Sequence, residues 1–237
     1  MTEITYVLTT IIMSVVIIVG FYISRTKHLN NRKKSLSQTA KIAFCIVSVL
    51  FYLFILSSNM VLVDYGMPPR FPIFLIFPTF LFTGIFIYKN RNNAWIRNIK
   101  PATLIYIQSF RVLVEILFVF SITEGILPKL VTIEGYNFDM IVGILAPIVA
   151  YLVFNKKVAS IKVALYWNYL GLAVLASVIF VFLSTTFAPE FYGSSLNLMP
   201  IEFTHYPYTL VAGFLMPVAV FMHVLSIVQL SKNRNIG

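Results

Sequence analysis

Long apolar stretches separated by short polar connections dominate the pattern of the chain. An apolar window of about 18 residues or more is long enough to cross a bilayer as a helix. Seven such stretches occur: Ile4–Ser24, Ile42–Asp64, Phe71–Tyr88, Ala102–Ile122, Phe138–Asn155, Ile161–Phe187 and Pro207–Leu230. The pattern predicts an all-α integral membrane bundle of seven transmembrane helices, in a single domain that covers residues 1–237.

The charges in the connections segregate by sign, and cytoplasmic loops of membrane proteins carry an excess of Lys and Arg. Every second connection is basic, with Arg25, Lys27, Arg32, Lys33, Lys34, Lys41, Lys89, Arg91, Arg97, Lys100, Lys156, Lys157, Lys162, Lys232 and Arg234. The acids at the opposite face are Glu3, Asp64, Glu124, Glu134, Asp139, Glu190 and Glu202. These two signals predict an outer N-terminus, a cytoplasmic C-terminus and a first helix that is retained.

The composition supports a membrane location, because 59% of the residues are hydrophobic and only 11% are charged. Soluble domains carry roughly 25% charged residues, so here lipid must cover much of the surface. A net charge of +10 would suggest nucleic acid as the partner of a soluble protein. Its placement in alternate loops indicates instead a lipid bilayer as the partner and no nucleic acid. The single cysteine, Cys45, excludes an intrachain disulfide and a cysteine-based metal site.

Three predicted helices carry a proline near the middle, at Pro78, Pro147 and Pro217, with spacings of 69 and 70 residues. This regularity predicts three helical-hairpin repeats, formed by helices 2 and 3, 4 and 5, and 6 and 7. The alternative is a chance spacing, since proline is common in membrane helices. Each proline also frees a backbone carbonyl four residues earlier, which needs an internal partner in lipid. These carbonyls belong to Phe74, Gly143 and Gly213.

The fourth predicted helix carries opposite charges inside an apolar run. At 100° per residue, Gln108, Arg111 and Glu115 fall within about 60° of one another and form one polar stripe. Arg111 and Glu115 can pair at positions i and i+4. One interpretation is a buried ion pair that holds the helix in the bundle. The other is a ligand, ion or proton site, because charged groups inside membrane segments are functional candidates by default.

Further polar residues precede the fifth predicted helix, at Glu134, Asn137 and Asp139. Asn137 is a good N-cap, and Asp139 would stabilise the first helical turn through the helix dipole. The functional alternative places all three at the mouth of a cavity whose floor is Arg111 and Glu115. Acids at two levels would then form a path for a cation or a proton.

Three histidines are scattered along the chain, and no metal site is predicted from them. His205 lies in the longest outer connection, where long loops often bind ligands, and is a further binding candidate. Glu202 and His205 alone are weak evidence for a metal. His223 and Asn168 are interpreted as interhelical hydrogen-bonding residues, with a proton relay through His223 as the alternative. No Schiff-base lysine, P-loop or Gly-x-Ser-x-Gly motif indicates a cofactor or a nucleophile.

Several segments together resemble a group of uncharacterised bacterial multi-pass membrane proteins. They are Gln108-Ser-Phe-Arg-Val-Leu-Val-Glu115, Ile133-Glu-Gly-Tyr-Asn-Phe-Asp139, Gly143-Ile-Leu-Ala-Pro147, Leu210-Val-Ala-Gly-Phe-Leu-Met-Pro217 and His223-Val-Leu-Ser-Ile-Val-Gln-Leu230. The resemblance implies a bacterial inner membrane and supplies no activity.

The leading functional hypothesis is therefore a site in the outer half of the bundle that binds or translocates a small molecule, an ion or a proton. The second hypothesis is a structural, accessory or sensor protein whose Arg–Glu pair has no chemical role. The third is a membrane enzyme that modifies lipid with Glu115 or Asp139 as general base. No nucleophile–base pair supports this third hypothesis, so the chain is not predicted to be an enzyme.

Overall fold

The computed structural model describes residues 2–29, 31–58, 62, 65–97, 99–196 and 198–233. The α-helices of this part are α1 (Thr2–Leu29), α2 (Arg32–Ser58), α3 (Phe77–Asn90), α4 (Ala94–Arg97), α5 (Pro101–Ile107), α6 (Phe110–Thr123), α7 (Asp139–Ala150), α8 (Ile161–Phe187) and α9 (Met216–Asn233). Three π-helical turns extend them, at Phe71–Ile76 before α3, Tyr151–Asn155 after α7 and Val211–Leu215 before α9. No strand occurs in these ranges, so the all-α prediction is confirmed.

Some of the predicted features fall on residues that the structure leaves undescribed. The predicted second helix ends at Asp64, and both Asp64 and Arg234 lie outside the described residues. The side chains of Arg97 and Lys232 are also outside the described set.

Six helical segments are long and apolar enough to cross a membrane, as expected for a multi-pass membrane protein. They are Thr2–Lys27, Arg32–Ser58, Phe71–Asn90, Pro101–Thr123, Ile161–Phe187 and Val211–Ser231. The fifth predicted span is observed as a shorter apolar helix, Asp139–Asn155, made of the 12 residues of α7 and a π turn of 5. At 1.5 Å per residue it is about 25 Å long, against roughly 30 Å of hydrocarbon.

Helix α9 lies at the centre of the bundle and contacts α3, α5 and α8. In the segment Val211–Ser231 that contains it, 72% of the most apolar window is buried, against 17% for Arg32–Ser58. The outward faces of the surrounding helices remain apolar, with large side chains such as Phe44 and Phe180 exposed. Such faces suit contact with lipid rather than water.

The bundle has two chemically different ends, and α1 runs antiparallel to α6 between them. At the acidic end, Thr2 donates a hydrogen bond of 2.6 Å to Glu124, and the hydroxyls of Tyr6 and Ser121 lie 2.7 Å apart. At the basic end, the Ser24 hydroxyl donates to the carbonyl of Trp95 at 2.7 Å. The acidic end is thus the end of the bundle that holds Glu124, and the basic end is the one that holds Trp95.

The fourth predicted helix is divided into α5 and α6 by a turn at Gln108 and Ser109. The amide of Gln108 donates to the Ile105 carbonyl at 3.0 Å, and the amide of Arg111 donates to the Gln108 carbonyl at 3.2 Å. Hydrogen bonds between residues three apart wind the backbone more tightly, at about 3.0 residues per turn instead of 3.6. Side chains before the turn therefore point in a different direction, relative to α6, from the one that a regular helix would give. Gln108 is therefore displaced from the stripe predicted for a regular helix.

Two of the three intramembrane prolines, Pro78 and Pro217, follow π-helical turns, whereas the π turn near Pro147 comes after it. The predicted internal partner of the Phe74 carbonyl is present, because the Tyr52 hydroxyl donates to it at 2.6 Å. The three-hairpin repeat stays a prediction, since the π turn lies on the opposite side of the proline in one of the three helices.

Removal of the Tyr52 hydroxyl tests the role of this carbonyl contact. Tyr52→Phe is expected to lower the free energy of unfolding by about 1 kcal/mol, because the Phe74 carbonyl would lose its donor in an apolar setting. Tyr166→Phe is the matched control, since Tyr166 is 69% exposed and its hydroxyl makes no hydrogen bond within the described ranges. Denaturant titrations of the two purified variants in detergent give the comparison, and equal losses would contradict this role of Tyr52.

Candidate functional site

Arg111 of α6 forms a bidentate pair with Asp139, the first residue of α7. Its Nε donates to Asp139 Oδ2 at 2.8 Å, its Nη2 donates to Asp139 Oδ1, and the arginine is only 1% exposed. The predicted pair between Arg111 and Glu115 is wrong, since the described residues show no ion pair between these two. The guanidinium pairs with the acid on the neighbouring helix. Bidentate hydrogen bonds between an arginine and a carboxylate are stronger than hydrogen bonds between neutral groups.

Close packing of α6 on α7 accounts for this choice of partner. A Cβ atom placed on Gly143 would lie 3.1 Å from the backbone nitrogen of Val112 and 3.2 Å from the Cβ of Arg111. Glycine at this position lets the two helix backbones approach closely. Asp139 lies about one turn before Gly143, on the same side of α7, and so faces the guanidinium. Pairing within α6 would also place the cation before the acid, which is the less favourable order.

Glu115 is buried, with 2% exposure, but no cation in the described part of the chain forms an ion pair with it. Its Oε1 accepts a hydrogen bond of 2.5 Å from the amide of Ile133, and its Oε2 accepts one of 3.3 Å from the side-chain amide of Asn137. Both donors are neutral. The buried cluster therefore contains one guanidinium and two carboxyl groups.

Asn137 connects the two acids. Its Nδ2 also donates to the Val131 carbonyl at 3.1 Å, and its Oδ1 accepts from the amide of Asp139 at 2.9 Å. A carbonyl only accepts and an amide only donates, so these contacts fix the orientation of the side chain. Asn137 was predicted as the N-cap of α7, but Phe138 occupies that position, and Asn137 lies one residue before it and accepts from the first amide of the helix.

His223 of α9 continues the cluster toward the basic end. Its Nε2 lies 2.9 Å from Arg111 Nη1, and because a guanidinium can only donate, this nitrogen must accept. The imidazole is therefore neutral with its proton on Nδ1, which donates to Asn168 Oδ1 at 3.0 Å. Asn168 Nδ2 donates to the Ala164 carbonyl at 2.7 Å and to Ser226 at 3.1 Å. The predicted interhelical role of Asn168 and His223 is confirmed.

One hydrogen-bonded chain thus joins α6, α7, α8 and α9. In the order of their contacts, its side chains are Glu115, Asn137, Asp139, Arg111, His223, Asn168 and Ser226. The sequence analysis placed only the first four in one site. The depth of the residues in the membrane could have indicated the longer chain of contacts. Arg111, Asn168 and His223 each lie 7 to 9 residues from the basic ends of their predicted spans. Counted at 1.5 Å per residue, their depths agree within about 3 Å.

A cavity of about 20 Å³ lies among Arg111, Glu115, Asn137 and Asp139, and its remaining walls are apolar. This volume is enough for one water molecule and too small for an organic ligand. The predicted grouping of these four residues is therefore observed around one small cavity. Glu134 is not part of it, since its carboxylate is 51% exposed and pairs with Lys129 at 3.0 Å.

The other two predicted site residues also lie apart from the cavity. Gln108 is fully buried, but its side-chain amide has no hydrogen-bond partner among the described residues. His205 is half-buried after the short helix Ile201–Thr204, and its amide donates to the Glu202 carbonyl at 3.0 Å. Nearby, burial and then Glu202 raise the pKa of Tyr65, whose hydroxyl donates to the Pro200 carbonyl at 2.9 Å.

The arrangement offers little for metal or nucleophilic chemistry. Within the described ranges, no three His, Cys, Asp or Glu side chains are grouped to hold a metal ion. In the same ranges, neither Glu115 nor Asp139 is hydrogen-bonded to a serine, threonine or cysteine that could act as a nucleophile. The described geometry thus gives no support to a general base in a lipid-modifying enzyme.

Comparison with known proteins assigns a family but no activity. No curated protein and no solved structure matches the chain. One family model matches residues 68–231, which are more than two thirds of the 237 residues and include every member of the hydrogen-bonded chain. On the strength of this match, the protein belongs to the family described as Domain of unknown function (DUF8737).

Proposed function

We propose that the protein is a one-domain, seven-span protein of a bacterial inner membrane, in which Glu115 takes up a proton or a small cation from the outer side. The alternation of basic connections supports an outer N-terminus and a cytoplasmic C-terminus. In this orientation the acidic end faces outward. The span that completes the seven is Asp139–Asn155, the fifth in chain order, whose shorter apolar length is accommodated by local thinning of the bilayer or by snorkelling of flanking side chains.

The charge count of the buried cluster carries this proposal. Arg111 is neutralised by Asp139, so an ionised Glu115 would leave one negative charge in excess. A buried carboxylate with only neutral donors is costly, and binding of a proton or a cation removes that cost. Glu115 is therefore the residue of this cluster that exchanges with solvent, while Arg111 and Asp139 stay charged.

The size of the cavity narrows the range of ligands. A space of about 20 Å³ takes one water molecule, or a proton or small ion in its place. Among the small molecule, ion and proton considered from the sequence, the geometry favours the last two.

Arg111 would block proton movement between Glu115 on the outer side and His223 on the cytoplasmic side. Its guanidinium keeps its proton at all relevant pH values, so a proton cannot pass from Glu115 to His223 through it. When Glu115 loses its proton, a second negative charge appears four residues from Arg111 and competes with Asp139 for the guanidinium. Movement of Arg111 toward Glu115 would then leave the Nε2 atom of His223 free to accept a proton.

A structural role remains the second candidate, and the small volume of the cavity favours it. In that case the hydrogen-bonded chain would only fix the relative positions of α6, α7, α8 and α9. Buried polar groups can give such specificity to helix packing. The accessory or sensor role would then depend on other surfaces.

Proton flux into vesicles separates the two candidates. With the protein reconstituted in liposomes that enclose a pH-sensitive dye, an inside-negative potassium diffusion potential should drive proton entry. Glu115→Gln is expected to reduce this entry to the level of protein-free vesicles, because the glutamine cannot take up a proton.

Glu134→Gln is the matched control, since it makes the same change at an exposed acid and should leave the flux unchanged. Replacement of external protons by sodium at constant potential tests a cation as the transported ion. Wild-type entry of both ions at the protein-free level would refute translocation and favour the structural role.

A further inference from the structure

Two adjoining cavities lie toward the basic end, and their walls include residues of α1, α2, α3, α4, α5 and α9 but no member of the hydrogen-bonded chain. The larger has a volume of about 340 Å³ and the smaller about 110 Å³. They share four wall residues, Ile17, Ile42, Phe86 and Phe221, so they adjoin along one wall and together make up a groove. The smaller cavity is lined mainly by aliphatic and aromatic side chains, which suit a hydrocarbon chain.

The larger cavity has a basic mouth. Lys27 at the end of α1 and Lys100 just before α5 both line it, and both are exposed. Neither forms an ion pair with any acid in the described part of the chain. The guanidinium of Arg25 lies nearby, 5.2 Å from the ring of Trp95. Two exposed cations thus line one opening, with Arg25 close to Trp95, and no acid among the described residues forms an ion pair with Lys27 or Lys100.

Trp95 supplies an independent sign of a missing acceptor. Its side chain lines the larger cavity and is 2% exposed, yet its indole Nε1–H has no hydrogen-bond partner in the described structure. A buried donor without an acceptor costs about 1–3 kcal/mol, so such groups are usually satisfied by a ligand or solvent. The backbone of Trp95 is fixed by the hydrogen bond from Ser24 to its carbonyl.

We propose that this groove binds one anionic phospholipid from the leaflet at the basic end. Its phosphate would lie between Lys27 and Lys100 and accept the hydrogen bond of the Trp95 indole. Its acyl chain would follow the wall shared by the two cavities into the smaller one. The joined apolar space favours a lipid over free phosphate, and the cations favour an anionic headgroup over a zwitterionic one.

Thermal unfolding of the full-length protein in detergent tests this site with defined lipids. Phosphatidylglycerol should raise the unfolding temperature, whereas phosphatidylcholine with the same acyl chains and inorganic phosphate should not. Lys27→Gln with Lys100→Gln should remove most of the increase. Lys33→Gln with Lys34→Gln is the matched control, because it removes two exposed charges in the first turn of α2 without touching the groove.

Trp95→Phe provides a second variant that keeps the aromatic ring and removes only the donor. It should weaken the effect of phosphatidylglycerol, and native mass spectrometry should show less lipid retained on the variant than on the wild type.

Equal stabilisation by phosphatidylcholine would overturn the headgroup assignment, and equal stabilisation by inorganic phosphate would overturn the lipid. If the Lys33 and Lys34 control loses as much of the phosphatidylglycerol-induced rise in unfolding temperature, the rise comes from general surface charge and not from the groove. These results are independent of proton flux through Glu115.

Discussion

Arg111→Met is expected to lower the free energy of unfolding by about 3–5 kcal/mol, because it leaves the buried carboxylate of Asp139 without its cation. Asp139→Asn should cost a similar amount, since the guanidinium would then be unpaired. The double variant should recover at least about 2 kcal/mol relative to the sum of the single losses, because neither charge remains. Denaturant titration of the purified variants in detergent measures all three values.

A second double variant distinguishes this pair from the one that the sequence suggested. Arg111→Met combined with Glu115→Gln removes the predicted i,i+4 partners and leaves Asp139 unpaired. It should therefore be no more stable than Arg111→Met alone. If this combination restores stability and the one with Asp139→Asn does not, the observed pairing between α6 and α7 is wrong.

Gly171→Ala is expected to be the most damaging small substitution in α8. A Cβ atom at this position would collide with the imidazole ring of His223, against which Gly171 packs. Overpacking alone costs about 1–3 kcal/mol, and displacement of the ring would also weaken its hydrogen bonds to Arg111 and Asn168. The free energy of unfolding in detergent is the measurement.

Two further variants provide the control for this prediction. Gly84→Ala has no heavy atom within 4 Å of the added methyl group and should be neutral or stabilising by up to about 1 kcal/mol. In a His223→Ala background the obstacle is absent, so Gly171→Ala should cost much less there than in the wild type. An equal cost in both backgrounds would show that the ring is not what excludes a side chain at Gly171.

The substitutions at Arg111 and at Gly171 perturb different contacts of the same hydrogen-bonded chain. The first tests the charge pair that joins α6 to α7, and the second tests the space that lets α8 approach α9. Each perturbs a contact between helices rather than the helices themselves. Loss of stability without loss of secondary structure is therefore expected, and circular dichroism of the folded variants should remain unchanged.

The sequence determined which segments become helices in a membrane. Long apolar runs must satisfy their backbone groups internally, and most of the described residues in each of the seven predicted stretches are helical. The acidic start of α7 was also predictable, because the hydrogen bond from the Asp139 amide to Asn137 joins residues only two positions apart. The clustering of Arg111, Glu115, Asn137 and Asp139 followed from local spacing and from the tendency of consecutive helices to be neighbours.

Local spacing could not decide the partner of Arg111. Glu115 on its own helix and Asp139 on the next are both within reach of a long arginine side chain. The closeness of α6 and α7 at Gly143 decided between them, and helix separation is a property of packing rather than of either sequence segment. The turn at Gln108 likewise changed the direction of one predicted site residue, which regular helical periodicity had placed on the stripe.

The sequence by itself determined the apolar helices, the segregation of charge between two ends and the presence of buried ionisable groups. Only the tertiary structure decided that Asp139 neutralises Arg111 and that His223 extends the hydrogen-bonded chain. It also decided that Glu115 has no cationic partner in the described structure. The physical reason is that a helix fixes the spacing of its own side chains, whereas charge compensation between helices depends on which faces meet. That meeting is set by the glycines that admit close approach and by the central position of α9.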